Sequence, residues 1–545
     1  MTGYDPTAYR DVFEKNFTYL AGFRRNVHRY AARPAMHDPR SGRTWSFADL
    51  GAEVDRLAAG LVAAGLAPGD VLVHQLLNGP EFAELYLATQ VAGAVGAPIN
   101  FRLAPGETAF ILDDSRPRVY VYDTELTEPT RRALELAEHS SAVVVAVGDG
   151  SPLPGAIRFE ELVQSGGDPP AVAQGAYTET TRLYTSGTTG MPKGVPLNSV
   201  AEVLTAHDVI MHFPLAPDDI TLNMTPWFHR GGVHVGGPST CFYLGAQTVP
   251  LRSFDADACL DLVERLGITY LAGAPTNLAL LTAAQQKQAR DLSSLHGIIT
   301  MGSPLEREAC LRYQKVLTPR IFNGYGTTEA FWNTFLRPGD LPEHAGSAGR
   351  ACTDDDVAVV RLRDDGRLAG LDETVAQDNS EIGEVVVRSP KCAYTYYNSP
   401  DAATQKFHDG WLYIGDLATW DEHEYVTIVG RKDDMIISGG ENVHPVQVEE
   451  ALNEHPKVAD SIVVGIPDEK WGQRIVAYVV RGDDTLDAAE CDRHCREHPM
   501  LAAFKRPRGY RFVDALPLTA TGKKVHYKAL EQAVGEHADG LFAVP

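Results

Sequence analysis

The most informative stretch of this chain is Tyr184-Thr185-Ser186-Gly187-Thr188-Thr189-Gly190-Met191-Pro192-Lys193-Gly194. It directly follows a short strand predicted at Arg182–Tyr184 and brings hydroxyls, glycines and a lysine together in one loop. Glycines let backbone N–H groups approach an anion closely, hydroxyls donate hydrogen bonds to phosphate oxygens, and the lysine supplies positive charge. The Walker A pattern G-x-x-x-x-G-K-[ST] cannot be laid over these residues. The stretch therefore predicts a phosphate-binding loop of another kind.

Strand-like and helix-like segments alternate around this loop. Val71–Leu77, Gly297–Met301 and Arg320–Asn323 have the composition of strands, whereas Pro80–Val91 and Asp257–Leu266 are typical of helices. Such alternation indicates layers of helices on largely parallel sheets. We therefore expect an α/β fold, with a large N-terminal domain of layered α/β sheets.

The pattern changes after about residue 355. Glu384–Arg388 and Tyr425–Val429 resemble antiparallel strands, which indicates a β-rich subdomain. From Pro445–Asn453 onward, helices and strands suffice for a compact α+β unit, a small C-terminal domain of roughly 110 residues. The polar stretch Gly430–Asp434 between them is the candidate linker.

Composition excludes several classes of protein. The 545 residues are 44% hydrophobic and 22% charged, as in ordinary globular proteins, which excludes a disordered or coiled-coil chain. The 49 basic and 72 acidic residues give a net charge of −23, which opposes general binding to nucleic acids. The seven cysteines show no C-x-x-C spacing, so reduced thiols are expected. The N-terminus lacks the features of a signal peptide, and the longest uncharged run, Leu85–Phe101, is too interrupted to span a bilayer. We expect a cytoplasmic location and no membrane insertion.

Three weaker motifs also carry polar side chains on loops. In Asn323–Glu329 the tyrosine ring could stack on a base, the threonine could bind phosphate, and Glu329 could bind Mg²⁺ through oxygen. In Trp411–Asp416 the final carboxylate suits ribose hydroxyls, as acidic residues do in dinucleotide folds. In Thr519–Lys524 a lysine on a glycine-containing loop could deliver a cation to a reaction centre. Each motif taken alone is also compatible with an ordinary turn or surface loop.

Taken together and in this order, the four motifs resemble those of the adenylate-forming superfamily, which includes acyl- and aryl-CoA ligases, luciferases and peptide-synthetase adenylation domains. The resemblance covers the chain from about Phe47 to Leu530. Gly430–Pro445 and Lys470–Gln473 are most similar to the 4-chlorobenzoate and benzoate CoA ligase group. The resemblance implies a two-step reaction. A carboxylate attacks the α-phosphate of Mg·ATP and forms an acyl-adenylate and pyrophosphate, and a thiol then displaces AMP.

The resemblance also implies a set of site residues. Thr328, Glu329, His229 and Lys523 are expected to be catalytic, with Thr328 at the α-phosphate, Glu329 at Mg²⁺ and Lys523 bridging carboxylate and α-phosphate. The implied ATP-binding residues are Thr185, Ser186, Gly187, Thr188, Thr189, Gly190, Lys193, Gly302, Ser303, Pro304, Asn323, Gly324, Tyr325, Gly326, Asp416 and Arg431.

Domain alternation is a further implication of the resemblance. It divides the chain into an N-terminal domain, residues 1–432, that binds AMP and the acid, and a mobile C-terminal domain, residues 433–545, with a hinge at Asp433. The C-terminal domain is expected to bring in Lys523 for the first step and then rotate to form a tunnel for the CoA arm. The residues expected to meet CoA are Trp471, Phe504, Lys505, Arg506 and Arg508.

The acid pocket is expected around Trp227-Phe228-His229-Arg230, with Phe331 and Trp332 as another wall. Aromatic side chains suit an aromatic or cyclic acid, because flat rings stack on them. No aspartate lies between Trp227 and Val235, which argues against α-amino acids. Arg230 stands where the family usually has a small or apolar residue, and it could pair with a second polar or anionic group on the acid.

These observations favour a carboxylic acid–CoA ligase that uses ATP and Mg²⁺. Two alternatives share the same first step: an adenylase that loads a separate carrier protein, and a medium-chain fatty acyl-CoA synthetase. A non-catalytic nucleotide-binding protein is disfavoured by the presence of Lys193, Glu329, Asp416 and Lys523. Whether the chain forms a homodimer is left open.

Overall fold

The computed structural model describes residues 4–164, 167–168, 170–186, 191–302, 305, 307–363, 367–432, 436–443, 445–517, 529–530, 533 and 542–543. The strands in these ranges are β1 Pro34–His37, β2 Thr44–Ser46, β3 Val71–Gln75, β4 Val95–Pro98, β5 Val119–Asp123, β6 Val143–Val147, β7 Ile157–Arg158, β8 Glu179–Ser186, β9 Pro192–Asn198, β10 Ile220–Asn223, β11 Gln247–Val249, β12 Tyr270–Gly273, β13 Gly297–Met301, β14 Ile321–Thr327, β15 Phe331–Leu336, β16 Arg350–Ala351, β17 Asp356–Arg361, β18 Gly383–Arg388, β19 Phe407–His408, β20 Trp411–Trp420, β21 Val426–Arg431, β22 Ile436–Ser438, β23 Glu441–Val443, β24 Val458–Asp468, β25 Gly472–Arg481, β26 Gly509–Phe512 and β27 Phe542–Ala543.

Helices alternate with many of these strands. They are α1 Thr7–Asn16, α2 Tyr19–Arg29, α3 Phe47–Ala63, α4 Pro80–Val91, α5 Pro105–Ser115, α6 Thr127–Leu136, α7 Phe159–Gln164, α8 Ser199–His212, α9 Arg230–His234, α10 Pro238–Leu244, α11 Ala256–Leu266, α12 Pro275–Lys287, α13 Arg307–Val316, α14 Pro400–Lys406, α15 Pro445–Asn453 and α16 Ala488–Glu497. The α/β class predicted from sequence is confirmed. α4 shows why: its sequence has no polar stripe, and the structure buries every residue from Phe82 to Val91.

Two mostly parallel sheets form the N-terminal part. Counted over the described residues, one has seven strands in the order β7-β6-β5-β3-β4-β8-β9, and the other has nine in the order β16-β15-β14-β13-β12-β10-β11-β1-β2. Each contains an antiparallel pair that carries one motif. β8 and β9 place Thr185 opposite Lys193, and β14 and β15 place Gly326 opposite Trp332. The lysine-bearing end of the first motif is therefore a strand and not a loop, because Val195 and Leu197 alternate into the core.

The remaining described strands form a β-rich sheet and a C-terminal sheet. The β-rich sheet follows the order β17-β18-β20-β19, with β21 paired to β20. The C-terminal sheet follows β23-β22-β25-β26-β27, with β24 paired to β25, and α15 and α16 pack beside it. This agrees with the expected large N-terminal part and small α+β C-terminal part.

The cysteines behave as the sequence predicts. All seven are buried free thiols without a disulfide, and burial raises the pKa of Cys241 and of Cys259 to about 12. Helices in the described ranges are also too short or too polar to cross a bilayer.

Candidate active site

One cleft of about 830 Å³ brings most of the predicted motifs together. Its walls come from the ends of β10 and β13, from the β14–β15 pair, and from the C-terminal hairpin β22–β23. Parallel strands place their carboxyl ends at one edge of a sheet, which is where ligands bind in open α/β sheets. The cleft is therefore the candidate active site.

The phosphate side of the cleft contains Thr185 and Lys193 from the paired strands β8 and β9. The ammonium of Lys193 lies 5.5 Å from the centre of the Tyr396 ring. The predicted phosphate residues Gly187, Thr188, Thr189 and Gly190 lie outside the described residues, as does the side chain of Ser186.

Thr328 and Glu329 also line the cleft, at the turn between β14 and β15. The hydroxyl of Tyr396 donates to Oε1 of Glu329 at 2.5 Å, and the Ala393 N–H donates to the Glu329 carbonyl at 2.9 Å. Burial and the charge of Glu329 raise the pKa of Tyr396 well above its ordinary value, so the phenol stays protonated and donates. Carboxylate and hydroxyl oxygens are ligands that Mg²⁺ prefers, and this donor set fits that ion. Sequence reasoning missed Tyr396, whose only signal was its place in the aromatic run Tyr394–Tyr397.

The turn into β15 depends on a glycine. A Cβ atom on Gly326 would lie 1.6 Å from the carbonyl oxygen of Phe331, so no side chain fits there. Phe331 itself has φ of +62°, a left-handed conformation that costs free energy in residues other than glycine. Backbone strain of this kind is concentrated at functional sites.

The expected nucleotide residues on this side are partly in place. Gly302, Gly324 and Gly326 line the cleft, and the Tyr325 hydroxyl donates to Oδ2 of Asp416 at 2.7 Å. Asn323 is buried, and its side-chain oxygen accepts a hydrogen bond from Thr300 at 2.8 Å. Ser303, Pro304 and the side chain of Arg431 fall in the undescribed part, although the backbone of Arg431 pairs with Asp416.

Two of the residues predicted for the acid pocket do not line the cleft. Trp227 is fully buried and packs edge-on against Phe82 at 5.7 Å, and Phe228 packs against Phe101 at 5.5 Å. Neither residue lines the cleft, because both rings are turned into the core behind it. The wall formed by this segment comes from His229, Arg230, Gly231 and Gly232 instead.

Phe331 and Trp332 do line the cleft, as expected, and they stack on each other at 4.8 Å. Sequence reasoning missed Met301 and Gly231, which complete this wall. A Cβ atom on Gly231 would lie 2.7 Å from Sδ of Met301, and one on Gly324 would lie 2.6 Å from Nε1 of Trp332. The glycines therefore let the two large side chains lie flat against the backbone.

The C-terminal part closes the cleft with the hairpin around Gly439–Glu441 and with Trp471. Glu441 is 4% exposed, accepts from Nη1 of Arg102 at 2.8 Å, and lies 3.6 Å from Nε2 of His229. Burial alone would raise the pKa of Glu441, but the hydrogen bond and charge of His229, with the charge of Arg102, hold it below its ordinary value. A carboxylate from the C-terminal part thus reaches the predicted catalytic histidine.

The predicted CoA residues separate into two groups. The guanidinium of Arg508 lies 5.6 Å from the centre of the ring of Trp471, which lines the cleft. Lys505 and Arg506 do not face the cleft: they are buried and form ion pairs with Glu107 and Asp492, respectively. Phe504 packs against the core of the C-terminal part. Of the residues predicted to meet CoA, only Trp471 lines the cleft and only Arg508 lies beside it, so contact of this pair with CoA stays a prediction.

Two further predicted residues fall in the undescribed part of the chain. Lys523, with the rest of the motif Thr519–Lys524, and the hinge residue Asp433 lie outside the described residues.

Comparison with known proteins finds similarity over nearly the whole chain. Residues 23–397 match the family described as AMP-binding enzyme, and residues 447–523 match the AMP-binding enzyme C-terminal domain. An indoleacetate–CoA ligase from Aromatoleum aromaticum is 34% identical over 485 residues, which are 88% of this chain and 92% of that protein. A fatty acid–[acyl-carrier-protein] ligase from Streptomyces coeruleorubidus is 30% identical over 92% of this chain and 96% of its own length.

A solved structure is similar in fold. The o-succinylbenzoate CoA synthetase from Bacillus subtilis, in complex with a product analogue, superimposes with a TM-score of 0.82 at 26% identity. The match covers 94% of this chain and 98% of that one.

Proposed function

Because the chain belongs to the AMP-binding enzyme family and is an AMP-forming, ATP-dependent acid–thiol ligase, we propose that its acid is aromatic and its thiol is coenzyme A. The observation that carries the proposal is that three sets of residues line one cleft. The first set suits phosphate, the second suits the acid, and the third suits the thiol. They are Thr185, Lys193, Thr328 and Glu329; Met301, Phe331 and Trp332; and Gly440, Glu441 and Trp471, respectively. Both half-reactions need these groups within reach of one carbonyl carbon. The need for ATP and CoA leads us to propose the cytoplasm as its place of action.

In the first step, we propose that Lys193 and Thr185 hold the outer phosphates while Thr328 contacts the α-phosphate. Mg²⁺, when held by Glu329, would offset negative charge on the phosphates. The Tyr325–Asp416 pair would position the ribose, since the tyrosine hydroxyl holds the carboxylate at 2.7 Å. Lys523 would bridge the attacking carboxylate and the α-phosphate.

The flat wall of Met301, Phe331 and Trp332 supports an aromatic acid. Aromatic rings stack in offset geometry on indole and phenyl faces, and a methionine side chain adapts to ring edges. The indoleacetate–CoA ligase and the o-succinylbenzoate CoA synthetase both act, by their names, on ring-bearing acids, which adds support. The structure offers no aspartate on Trp227–Val235 for an α-amine, in keeping with the sequence.

The position of Trp471 favours CoA as the thiol. Its ring lines the cleft, and the cationic groups of Arg508 and Lys470 lie 5.6 and 4.8 Å from the ring centre. An aromatic face with two cations suits the adenine and phosphates of CoA. The carrier-protein alternative keeps its own support, because a relative loads an acyl-carrier protein by its name.

Pyrophosphate release with a panel of acids tests the proposal. The panel contains benzoates, hydroxycinnamates, indole acids, cyclohexane carboxylates, C4–C12 fatty acids and amino acids, each with and without CoA. We expect CoA-dependent turnover with one class of aromatic acid. Turnover confined to fatty acids would contradict the aromatic assignment, and adenylate without thioester would favour a carrier-loading enzyme.

Trp332→Ala should selectively weaken the binding of aromatic acids. Removing an aromatic partner costs about 0.5–1.5 kcal/mol beyond the lost burial, and we expect the KM for the preferred acid to rise about tenfold. C8–C12 fatty acids should be accepted better than before, because the pocket becomes deeper. Trp420→Ala is the matched control, since this tryptophan is equally buried but lies in the β-rich sheet. An unchanged acid preference in Trp332→Ala would remove Trp332 from the pocket.

A further inference from the structure

Arg230 is a buried cation at the base of the acid pocket. It is 3% exposed and begins α9, directly after the cleft residue His229. No carboxylate of the described residues lies within ion-pair distance of its guanidinium, and burial lowers its pKa to about 10. A cation in such surroundings is costly unless its donors are used.

The donors of Arg230 are used mainly on backbone carbonyls. Nη1 donates to the carbonyl of Thr328 at 2.6 Å, and Nη2 donates to the carbonyl of Lys391 at 2.9 Å. Nη2 also lies 3.2 Å from the hydroxyl of Thr205, whereas Nε is enclosed and has no hydrogen-bond partner in the described structure. A second anion on the acid would compete with the two carbonyls for the Nη nitrogens, and Nε is enclosed. The hydrogen bonds observed for Arg230 therefore fit a structural role within the protein better than the expected pairing with the substrate.

The two carbonyls belong to the segments that hold Glu329. Thr328 precedes Glu329 in the chain, and the segment that begins at Lys391 supplies both of its other partners, the Ala393 N–H and the Tyr396 hydroxyl. Arg230 thus connects the backbone on one side of Glu329 with the segment that binds the other side. Removing this connection frees the two segments to move relative to each other.

Lys391 and Arg230 are each anchored in the core, one at either end of the hydrogen bond between them. The ammonium of Lys391 lies 2.9 Å from a carboxylate oxygen of Asp208 and 2.9 Å from one of Asp355. At the other end, Nδ1 of His234 donates to the carbonyl of Arg230 at 2.9 Å, and its Nε2 contacts Glu202. Buried charges held this firmly change position little when a ligand binds.

We propose that Arg230 is a positioning residue for the first half-reaction. It holds Thr328 and Glu329 in the geometry that binds the metal complex of ATP. This rests on the proposed function, since it requires that Glu329 hold Mg²⁺. Arg230 does not select the acid. It sets how much the metal strengthens nucleotide binding and how fast the adenylate forms.

Calorimetric binding of ATP tests this without turnover. ATP is titrated in the absence of acid, once with Mg²⁺ and once with EDTA, into the wild type, Arg230→Lys and Arg230→Met. Lysine keeps the charge but donates from one nitrogen only, so it can replace at most part of the arginine fork. We expect the strengthening of ATP binding by Mg²⁺ to fall about tenfold in Arg230→Lys and further in Arg230→Met, with ATP affinity in EDTA unchanged. Arg290→Met is the control, because that arginine is also largely buried but pairs with Asp257 and Asp261 away from the cleft.

The catalytic readouts separate positioning from acid recognition. In the Arg230 variants, the kcat for pyrophosphate release should fall by the same factor for every acid. The rate of thioester formation from supplied acyl-adenylate should stay within about twofold of the wild-type rate. Unchanged metal dependence in the folded Arg230→Lys variant would overturn the proposal. Selective loss of acids with a second anionic group would also overturn it and make Arg230 part of the acid site. A wild type that binds no ATP would refute the proposed function itself, which is a distinct result.

Discussion

Lys523→Ala should slow adenylate formation by about 10²–10³-fold, the usual loss when one preorganised group that stabilises transition-state charge is removed. Negative charge builds on the carboxylate and the α-phosphate in this step, and a cation must lie between them. Three of the described cations of the cleft are already engaged in other hydrogen bonds or ion pairs. Arg102 is paired with Glu441, Arg230 donates to two carbonyls, and Lys406 donates to the carbonyl of Ile414 at 3.1 Å.

The measurement is pyrophosphate release from ATP and the preferred acid, compared with thioester formation from chemically prepared acyl-adenylate. Only the first should fall in Lys523→Ala. Lys524→Ala is the matched control, because it removes the same charge one residue away, and it should keep both rates within about threefold. Equal losses in the two half-reactions would refute an exclusive first-step role for Lys523.

Lys505→Met should have the opposite effect and impair the second half-reaction. Lys505 contacts the carboxylate of Glu107 and lies 2.9 Å from Oε1 of Gln447, which joins α5 of the N-terminal part to the C-terminal part. Glu107 is fully buried by this contact. Removing one partner of a buried ion pair costs about 3–5 kcal/mol, because the remaining charge has no compensation. In an orientation that exposes Glu107 to water, the same substitution costs little.

In Lys505→Met, fewer molecules should therefore have the C-terminal part docked with Gly440 and Trp471 in the cleft. We expect thioester formation from supplied acyl-adenylate to fall about 10²-fold or more, with pyrophosphate release unchanged or faster. Gly106 supports the same docking, since its N–H donates to the carbonyl of Pro499 at 2.9 Å, and a Cβ atom there would lie 2.2 Å from Sδ of Met500.

Two further variants make this result interpretable. Lys457→Met removes an ion pair with Glu490 inside the C-terminal part and should leave both half-reactions unchanged. The double variant Glu107→Leu/Lys505→Met removes the uncompensated charge and should regain part of the lost rate. Loss of both half-reactions in Lys505→Met, at an unchanged melting temperature, would contradict a docking role specific to the second step.

Local patterns in the sequence were sufficient for the fold class and for the order of the motifs. Pro80–Val91 is a helix with the predicted ends, and Gly297–Met301 is a strand with the predicted ends, because glycine or proline lies at or near the ends of each mainly apolar segment. Thr185, Lys193, Thr328 and Glu329 could be predicted to share one site because their chemistry and spacing are tied to strand ends, and all four line the cleft. Such features depend on neighbours a few residues apart.

Side-chain direction and long-range pairing could not be obtained in this way. Trp227 and Phe228 face the core, whereas the next two residues, His229 and Arg230, line the cleft. The local sequence of these four residues does not indicate which side chains face the cleft. Lys505 belongs to a basic run that suggests a ligand, yet its partner is Glu107, 398 positions earlier. The sequence by itself determined the α/β fold, the family and the chemistry of the motifs, since these depend on local composition and spacing. Tertiary structure alone decided which charges are already paired and which face the substrates, because that depends on contacts between segments that are distant in the chain.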